Sequence, residues 1–208
     1  MLSVRFTSLR ERKKAATKER LYVEALELFR RKGFAASTVE DIVAAADVSK
    51  GTFFNYFSGK EGLLHYVSER LAHTAAEALA ALPAAEALSA REQLARALQV
   101  LAAPLEADRE LARVVVFELL RASAAGLADP YRAWLSQTVS AALRAGQERG
   151  EVAAEFDLDL LSSVIIGAYF QQVFEWCAAE QPYPLGERLA RLLAMLWRAV
   201  GPAAAGAL

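Results

Sequence analysis

A cluster of hydrogen-bonding side chains lies between Val48 and Lys60, where lysine, threonine, asparagine and tyrosine stand close together. Threonine and asparagine side chains bond to the edges of nucleic-acid bases, and lysine neutralises phosphate oxygens. Gly51 lies between Lys50 and Thr52, and its lack of a Cβ lets the backbone approach a partner closely. These residue types predict a surface that contacts a polyanion such as DNA.

The same stretch holds four aromatic residues within five positions, from Phe53 to Phe57. These two phenylalanines are four residues apart, so on a helix both point to one side and can be buried together. A rotation of about 100° per residue then turns Asn55 and Tyr56 outward. We therefore expect a short helix with a buried phenylalanine stripe and an exposed polar face.

Short capped helices are predicted to position this face. Thr38 is a typical N-cap, with Asp41 three residues later, and Ser49 caps the next helix. Asp47 takes the turn between them, because aspartate tolerates the left-handed conformation. A longer helix precedes them, from about residue 11 to residue 32. Two short helices joined by a tight turn form a helix-turn-helix unit.

The remaining signals are also helical, so the fold is predicted to be all-α with about nine helices. Residues 1–60 form the three-helix helix-turn-helix domain, and residues 61–208 form a larger helical domain, with helix four as the link from about residue 59. Capping residues and prolines predict where the later helices begin and end. Helix four runs from Ser58 to Leu82-Pro83, helix five from Ser89 to near Pro104, helix six from Asp108, helix seven from Asp129-Pro130 to Gly150, helix eight from Asp157 to about Glu180, and helix nine from after Pro184 to Gly201-Pro202. A frayed tail is expected from Ala203.

Charge separates the two regions in the same way. Residues 1–60 contain 12 Lys and Arg against 7 Asp and Glu, whereas the remainder contains 12 against 18, although the chain carries a net charge of only -1. All six lysines lie in the first region. A basic module joined to an acidic one predicts that the first meets a polyanion and the second does not.

Cysteine usage and hydropathy bear on the compartment. Cys177 is the single cysteine of the sequence, which excludes an intramolecular disulfide and a cysteine-rich metal site. We interpret it as a buried small hydrophobic residue. The basic N-terminus is not followed by an apolar signal segment, and no long apolar run indicates a membrane span. A globular cytoplasmic protein is expected.

Residues from about 15 to 65 resemble the N-terminal DNA-binding domain of the TetR family of transcriptional repressors. The most similar segment reads EALELFRRKGFAASTVEDIVAAADVSKGTFFNYFSGKEGLL. The likeness covers the Gly-Phe after helix one, the Thr-Val-Glu-Asp-Ile cap, the Val-Ser-Lys-Gly-Thr start of the recognition helix and the final Lys-Glu.

The resemblance implies which residues contact DNA. Many family members carry tyrosine where this chain has Phe54, so a hydroxyl bond to phosphate is missing there, and Phe54 serves packing or contacts a thymine methyl. Phosphate contacts are implied at the starts of helices two and four, major-groove contacts at the start of helix three, and contacts to the DNA backbone or bases at its end. The implied DNA-binding residues are Thr38, Ser49, Lys50, Gly51, Thr52, Phe54, Asn55, Tyr56 and Lys60.

For the second domain the resemblance implies helices four to seven around an inducer cavity and the last two helices in a dimer interface. Helix eight is apolar on nearly every side, which favours burial on two faces, but which face lines the cavity stays open. The candidate cavity residues are Phe117, Tyr131, Trp134, Tyr169, Phe170, Gln172, Phe174 and Trp176. The candidate interface residues are Leu161, Ile165, Leu189, Leu192 and Leu196.

These features predict a homodimeric, ligand-responsive repressor that binds a palindromic DNA operator and is released by a small, largely apolar inducer. Lysine is absent from the second domain, which favours an apolar or aromatic ligand. No cofactor or metal is predicted. Activation instead of repression stays open, as does a ligand-independent architectural DNA-binding protein.

A helical enzyme that binds a phosphorylated substrate is the remaining alternative. His65 and His73 are eight residues apart, too far for the usual helical metal pair, and no phosphate loop or nucleophile motif occurs in the sequence. The sequence therefore favours a non-enzyme.

Overall fold

The computed structural model of the protein describes residues 9–81 and 88–201. Those residues form nine α-helices and no strand, which confirms the all-α prediction. The helices are α1 (Leu9–Lys32), α2 (Val39–Ala45), α3 (Lys50–Phe54), α4 (Lys60–Ala80), α5 (Ala90–Ala107), α6 (Arg109–Ala124), α7 (Pro130–Glu148), α8 (Leu158–Ala178) and α9 (Leu185–Val200).

The chain divides into two compact units, Met1–Val67 and Ser68–Leu208. The boundary falls inside α4 and therefore later than the predicted residue 60. Leu63, Leu64 and Val67 are buried on the first turns of α4. Since α4 is one continuous helix, it supplies residues to both units.

The turns of the first unit form where the sequence places the matching residue types. Gly33 follows α1 with a φ of +81°, a conformation that favours glycine. Thr38 and Asp41 form a reciprocal capping box at the start of α2, and the Ser49 side chain caps α3. Asp47 takes the turn between these helices with a φ of +49°. These features confirm the predicted helix-turn-helix.

Two helix boundaries differ by one to three residues from the local sequence signals. α4 begins at Lys60, directly after Gly59, whose φ of +151° favours glycine, and so one residue later than a Ser58 cap would give. α5 continues through Pro104 to Ala107, although proline removes one bond from the helical ladder. The Pro104 carbonyl still accepts the Asp108 N–H at 3.4 Å.

Acidic and hydroxyl side chains begin the helices of the second unit as predicted. Ser89 forms a capping box with Glu92 at the start of α5. Asp108, Asp129 and Asp157 each accept backbone N–H groups in the first turn of α6, α7 and α8 respectively. These caps fix where each helix begins and hence which faces it presents to the core.

The core of the second unit surrounds α8. This helix packs against α6, α7 and α9, while α5 packs against α7 and α9. Tyr169, Val173 and Trp176 of α8 are buried together with apolar side chains of its neighbours. An all-round apolar helix is stable in water because neighbouring helices cover it.

Parts of the predicted boundaries lie outside the described residues. These are the end of helix four at Leu82-Pro83, the proline at position 202 and the tail from Ala203. Within residues 9–81 and 88–201, no helix is both long and apolar enough to cross a membrane.

Candidate DNA-binding surface and ligand-binding core

α3 and the residues directly after it bury one aromatic stripe and expose polar positions on the other side. Phe53 is fully buried and Phe57 nearly so, with ring centroids 5.5 Å apart. Asn55, at the C-cap of α3, is exposed, and Tyr56 is half-buried. The inward stripe and the outward polar positions therefore lie where the sequence predicts them.

Phe54 lies on the outer face of α3. Its side chain is 51% exposed, and its ring meets that of Phe53 edge to face at 5.4 Å. Of its two predicted uses, packing and contact with a thymine methyl, the exposed half of the ring leaves room for the second. An exposed aromatic at this position remains available to a partner.

The polar groups at the N-terminal end of α3 bond to one another. The Ser49 Oγ accepts the Thr52 N–H at 3.1 Å and lies 2.9 Å from the Thr52 Oγ1. The Lys50 ammonium forms an ion pair with Glu40 of α2, and this pair lowers the pKa of Glu40. The predicted DNA contacts of these residues would have to replace these local bonds.

Thr38, the predicted phosphate contact at α2, is part of a tight polar cluster. Its Oγ1 donates to the Asp41 Oδ2 at 2.6 Å and accepts the Asp41 N–H at 3.1 Å. Hydrogen bonds from Lys32 and then from Thr38 hold the pKa of Asp41 far below its usual range. Thr38 thus caps α2 in the free chain, and its phosphate contact stays a prediction.

Lys60 bonds to the turn that follows α1. Its Nζ donates to the Phe34 carbonyl oxygen at 2.9 Å and lies 4.6 Å from the centroid of the Phe34 ring. The ammonium therefore closes the turn after α1. The sequence analysis did not predict this structural role of Lys60. A phosphate contact by Lys60 remains a prediction and requires the ammonium to leave this carbonyl or to share it.

A cleft between the first half of α1 and the end of α3 adds residues that sequence reasoning missed. It has a volume of about 360 Å³ and is lined by Glu11, Lys14, Lys18, Asn55 and Tyr56, together with an alanine. The two lysines are four residues apart and so share one helical face. The four-residue spacing of these lysines is the sequence signal that could have predicted their place in this cleft, because it puts both cations on the side of α1 that faces Asn55 and Tyr56.

The second unit contains a small apolar void among α5, α7, α8 and α9. Its volume is about 30 Å³, and Trp134 and Tyr169 are the predicted cavity residues that line it. An open groove of about 440 Å³ lies beside it and shares Leu94, Ala97 and Thr138 with its wall. The void and the groove thus form adjacent apolar spaces in one unit.

Tyr169 of the void lining bonds to Tyr131, which lies outside the lining. The Tyr131 and Tyr169 hydroxyl oxygens are 2.9 Å apart, and the Trp134 ring stacks beside Tyr131 with centroids 6.1 Å apart. Burial raises the pKa of Tyr131 well above its usual value and that of Tyr169 to about 12. Both phenols are therefore neutral at neutral pH and act as hydrogen-bonding groups.

Other predicted cavity residues have different neighbours. The buried Trp176 donates its Nε1–H to the Tyr183 carbonyl at 2.8 Å. Gln172 accepts a bond from Arg188 of α9 at 2.7 Å, so its amide is engaged away from the void. Phe117 and Phe174 form a ring pair at 4.9 Å. Phe170 packs on Tyr169 at 5.3 Å. None of these five side chains is part of the void lining.

Three of the predicted interface residues lie in the core of their own unit. Leu161, Ile165 and Leu189 are buried there among its other helices, and their part in a dimer interface stays a prediction. Leu192 and Leu196 are partly buried against the same core. The exposed apolar side chains of these two helices are instead Leu160, Val164 and Phe174 of α8 and Met195 of α9.

The fold and its exposed α3 define a helix-turn-helix transcriptional regulator with a separate helical unit. Residues 21–67 match the family described as "Bacterial regulatory proteins, tetR family", and residues 69–199 match "YsiA-like protein, C-terminal region". The chain belongs to the TetR family of transcriptional regulators.

Similar proteins of known sequence or structure agree with this assignment. The transcriptional regulator TcmR of Streptomyces glaucescens is 47% identical over 53 residues, covering 26% of this chain and 24% of TcmR. Matches to TcmR and two Bacillus subtilis regulators span only 16% to 28% of those relatives' lengths.

Two solved structures cover most of the chain. Thermus thermophilus FadR, a TetR family repressor in complex with lauroyl-CoA, is 32% identical with a TM-score of 0.66, covering 86% of this chain and 92% of that one. Bacillus subtilis FadR, in complex with stearoyl-CoA, is 22% identical with a TM-score of 0.69, covering 88% and 98%. The second likeness is one of fold.

Proposed function

We propose that this protein is a homodimeric repressor that binds a palindromic operator and releases it when a long-chain acyl-CoA binds the second unit. The observation that carries the ligand class is the 32% identity, over most of both chains, to a T. thermophilus FadR that holds lauroyl-CoA. The acyl chain fits the apolar ligand that the sequence predicts. The polyanionic coenzyme A part departs from the prediction that the acidic second region meets no polyanion.

DNA recognition is assigned to α3 and its flanks. Thr52 and Asn55 meet base edges, Phe54 contacts a thymine methyl, and lysines of α1 and α3 meet phosphates. Two copies related by a two-fold axis would place their α3 helices in major grooves about 34 Å apart. A palindromic site follows from that symmetry.

The size of the void supports a ligand that moves its walls. A volume of about 30 Å³ holds roughly one or two water-sized bodies, and an acyl chain is far larger. Such a chain can enter the void only if the helices around it, α5, α7, α8 and α9, move apart. Binding and displacement of the core helices are therefore coupled, which is the requirement for an inducer.

Dimerisation is assigned to the exposed apolar face of α8 and α9. Leu160 is 64% exposed and Met195 62% exposed. Val164 is one helical turn from Leu160 and therefore lies on the same side of α8. Large apolar side chains grouped on a surface typically mark an interaction site.

An operator titration tests this proposal. Labelled DNA from the promoter beside the gene is titrated with protein, and anisotropy is read without ligand and with saturating lauroyl-CoA. We expect the acyl-CoA to weaken operator binding by about 5- to 150-fold, the usual range of allosteric coupling. Coenzyme A alone is the control. Unchanged affinity would favour the architectural alternative, and absence of specific DNA binding would overturn the assignment.

We place the protein in the cytoplasm, with no enzymatic step.

A further inference from the structure

Ser68 of α4 is a buried polar residue that none of the assigned functions uses. It is 1% exposed, and its Oγ donates to the Asp129 Oδ1 at 2.6 Å and accepts the Tyr131 N–H at 3.0 Å. The hydroxyl thus uses both its proton and a lone pair on the first turn of α7. Ser68 fastens α4 to the start of α7.

Tyr131 also bonds to a residue that lines the apolar void of the second unit. Its hydroxyl lies 2.9 Å from that of Tyr169, which lines the apolar void. One residue therefore bonds through its backbone to α4 and through its side chain to the void wall. A bonded path of three residues joins the void to α4: Tyr169, Tyr131 and Ser68.

We propose that Ser68 is a positioning residue that transmits ligand binding from the void to α4. The inference rests on the proposed function. A ligand that enlarges the void displaces Tyr169, and the hydroxyl bond draws Tyr131 with it. Because Ser68 holds the Tyr131 N–H, movement at the start of α7 reaches α4. That helix runs back to Lys60 in the DNA-reading unit.

Removal of the Ser68 hydroxyl leaves the cap of α7 in place. The Asp129 Oδ1 also accepts the Tyr131 N–H at 3.1 Å and the Arg132 N–H at 3.2 Å. The carboxylate therefore keeps two capping bonds in a Ser68→Ala protein. The variant separates transmission from helix formation, which makes it a suitable test.

A matched control comes from a partly buried serine pair. Ser140 Oγ donates to Ser162 Oγ at 3.2 Å and joins α7 to α8 without involving α4. Ser140→Ala removes one hydroxyl from the same helix that Ser68 holds. A general loosening of the core would affect both variants, whereas loss of the α4 link affects only Ser68→Ala.

The experiment measures operator affinity of the full chain without ligand and with saturating lauroyl-CoA, so that changes in ligand affinity do not enter the ratio. We expect Ser68→Ala to bind operator as wild type does and to bind lauroyl-CoA. Its ligand-induced loss of operator affinity should fall below about threefold, against about 5- to 150-fold for wild type and for Ser140→Ala.

A second variant cuts the other end of the path. Tyr131→Phe removes the hydroxyl bond to Tyr169 and keeps the backbone bond to Ser68, and it should lose the response to the same extent. The double variant should lose no more than either single one, because both changes break one path. A full wild-type ratio in Ser68→Ala overturns the inference alone, whereas a wild-type protein without any response overturns the proposed function as well.

Discussion

Neighbouring phenylalanines on α3 give a sharp test of how the aromatic residues divide between core and surface. Phe53 is fully buried, whereas Phe54 is 51% exposed. Phe53→Ala should lower the free energy of unfolding by about 3–5 kcal/mol, the usual cost of removing a buried ring. Phe54→Ala should change it by less than about 1 kcal/mol, because half of that ring already meets water.

DNA affinity should show the opposite order once stability is controlled. Phe54→Ala should weaken operator binding about tenfold, equivalent to about 1.4 kcal/mol, through loss of an apolar contact in the groove. Phe53→Leu keeps most of the buried volume and should bind operator nearly as wild type does, at a stability cost of about 1–2 kcal/mol.

Urea unfolding followed by circular dichroism measures the stability of each variant, and fluorescence anisotropy measures operator affinity. The DNA titration of each protein is carried out at a urea concentration lower than the one at which that protein begins to unfold. Equal destabilisation by Phe53→Ala and Phe54→Ala would refute the division of the two rings. So would operator binding by Phe54→Ala that matches wild type at every salt concentration.

Four further variants test other parts of the account. Glu40→Gln should free the Lys50 ammonium and raise affinity for all DNA sequences about two- to fivefold in anisotropy titrations; unchanged affinity would show that this exposed pair does not compete with phosphate. The pKa of Asp41 is depressed in the folded chain. Its carboxylate therefore adds stability at pH values above about 3.9, the ordinary pKa of aspartate, and this stability is lost as the pH falls from there towards the depressed pKa. Asp41→Asn should therefore flatten the fall in urea midpoint between neutral pH and pH ~3, and an unaltered pH profile would contradict this sign. Leu160→Glu should give monomers in light scattering with normal stability, whereas Leu189→Ala should destabilise the fold by about 2–5 kcal/mol; a stable Leu160→Glu dimer would remove α8 from the interface.

Local sequence signals predict the first unit closely because each turn there depends on one residue type. Thr38 and Ser49 cap their helices, and Asp47 adopts the left-handed conformation that aspartate tolerates. The i, i+4 spacing of Phe53 and Phe57 also fixes which face of α3 is buried. These features follow from contacts a few residues apart, which a sequence displays directly.

Contacts between distant residues were harder to predict. The bond from Lys60 to the Phe34 carbonyl spans 26 positions, and no spacing in the sequence indicates it. Leu161 and Leu189 lie on apolar stripes that fit a core or an interface equally, and only the packed helices show that both face inward. Pro104 inside α5 shows that packing can override a local helix-ending signal.

The central claim is that acyl-CoA and operator bind in opposition, and the affinity of the protein for lauroyl-CoA tests it most directly. Calorimetric titration gives this affinity for the free protein and for the protein saturated with operator DNA. By thermodynamic linkage, operator should weaken lauroyl-CoA binding by the same factor by which lauroyl-CoA weakens operator binding, about 5- to 150-fold. Equal lauroyl-CoA affinity in the presence and absence of operator would contradict the account.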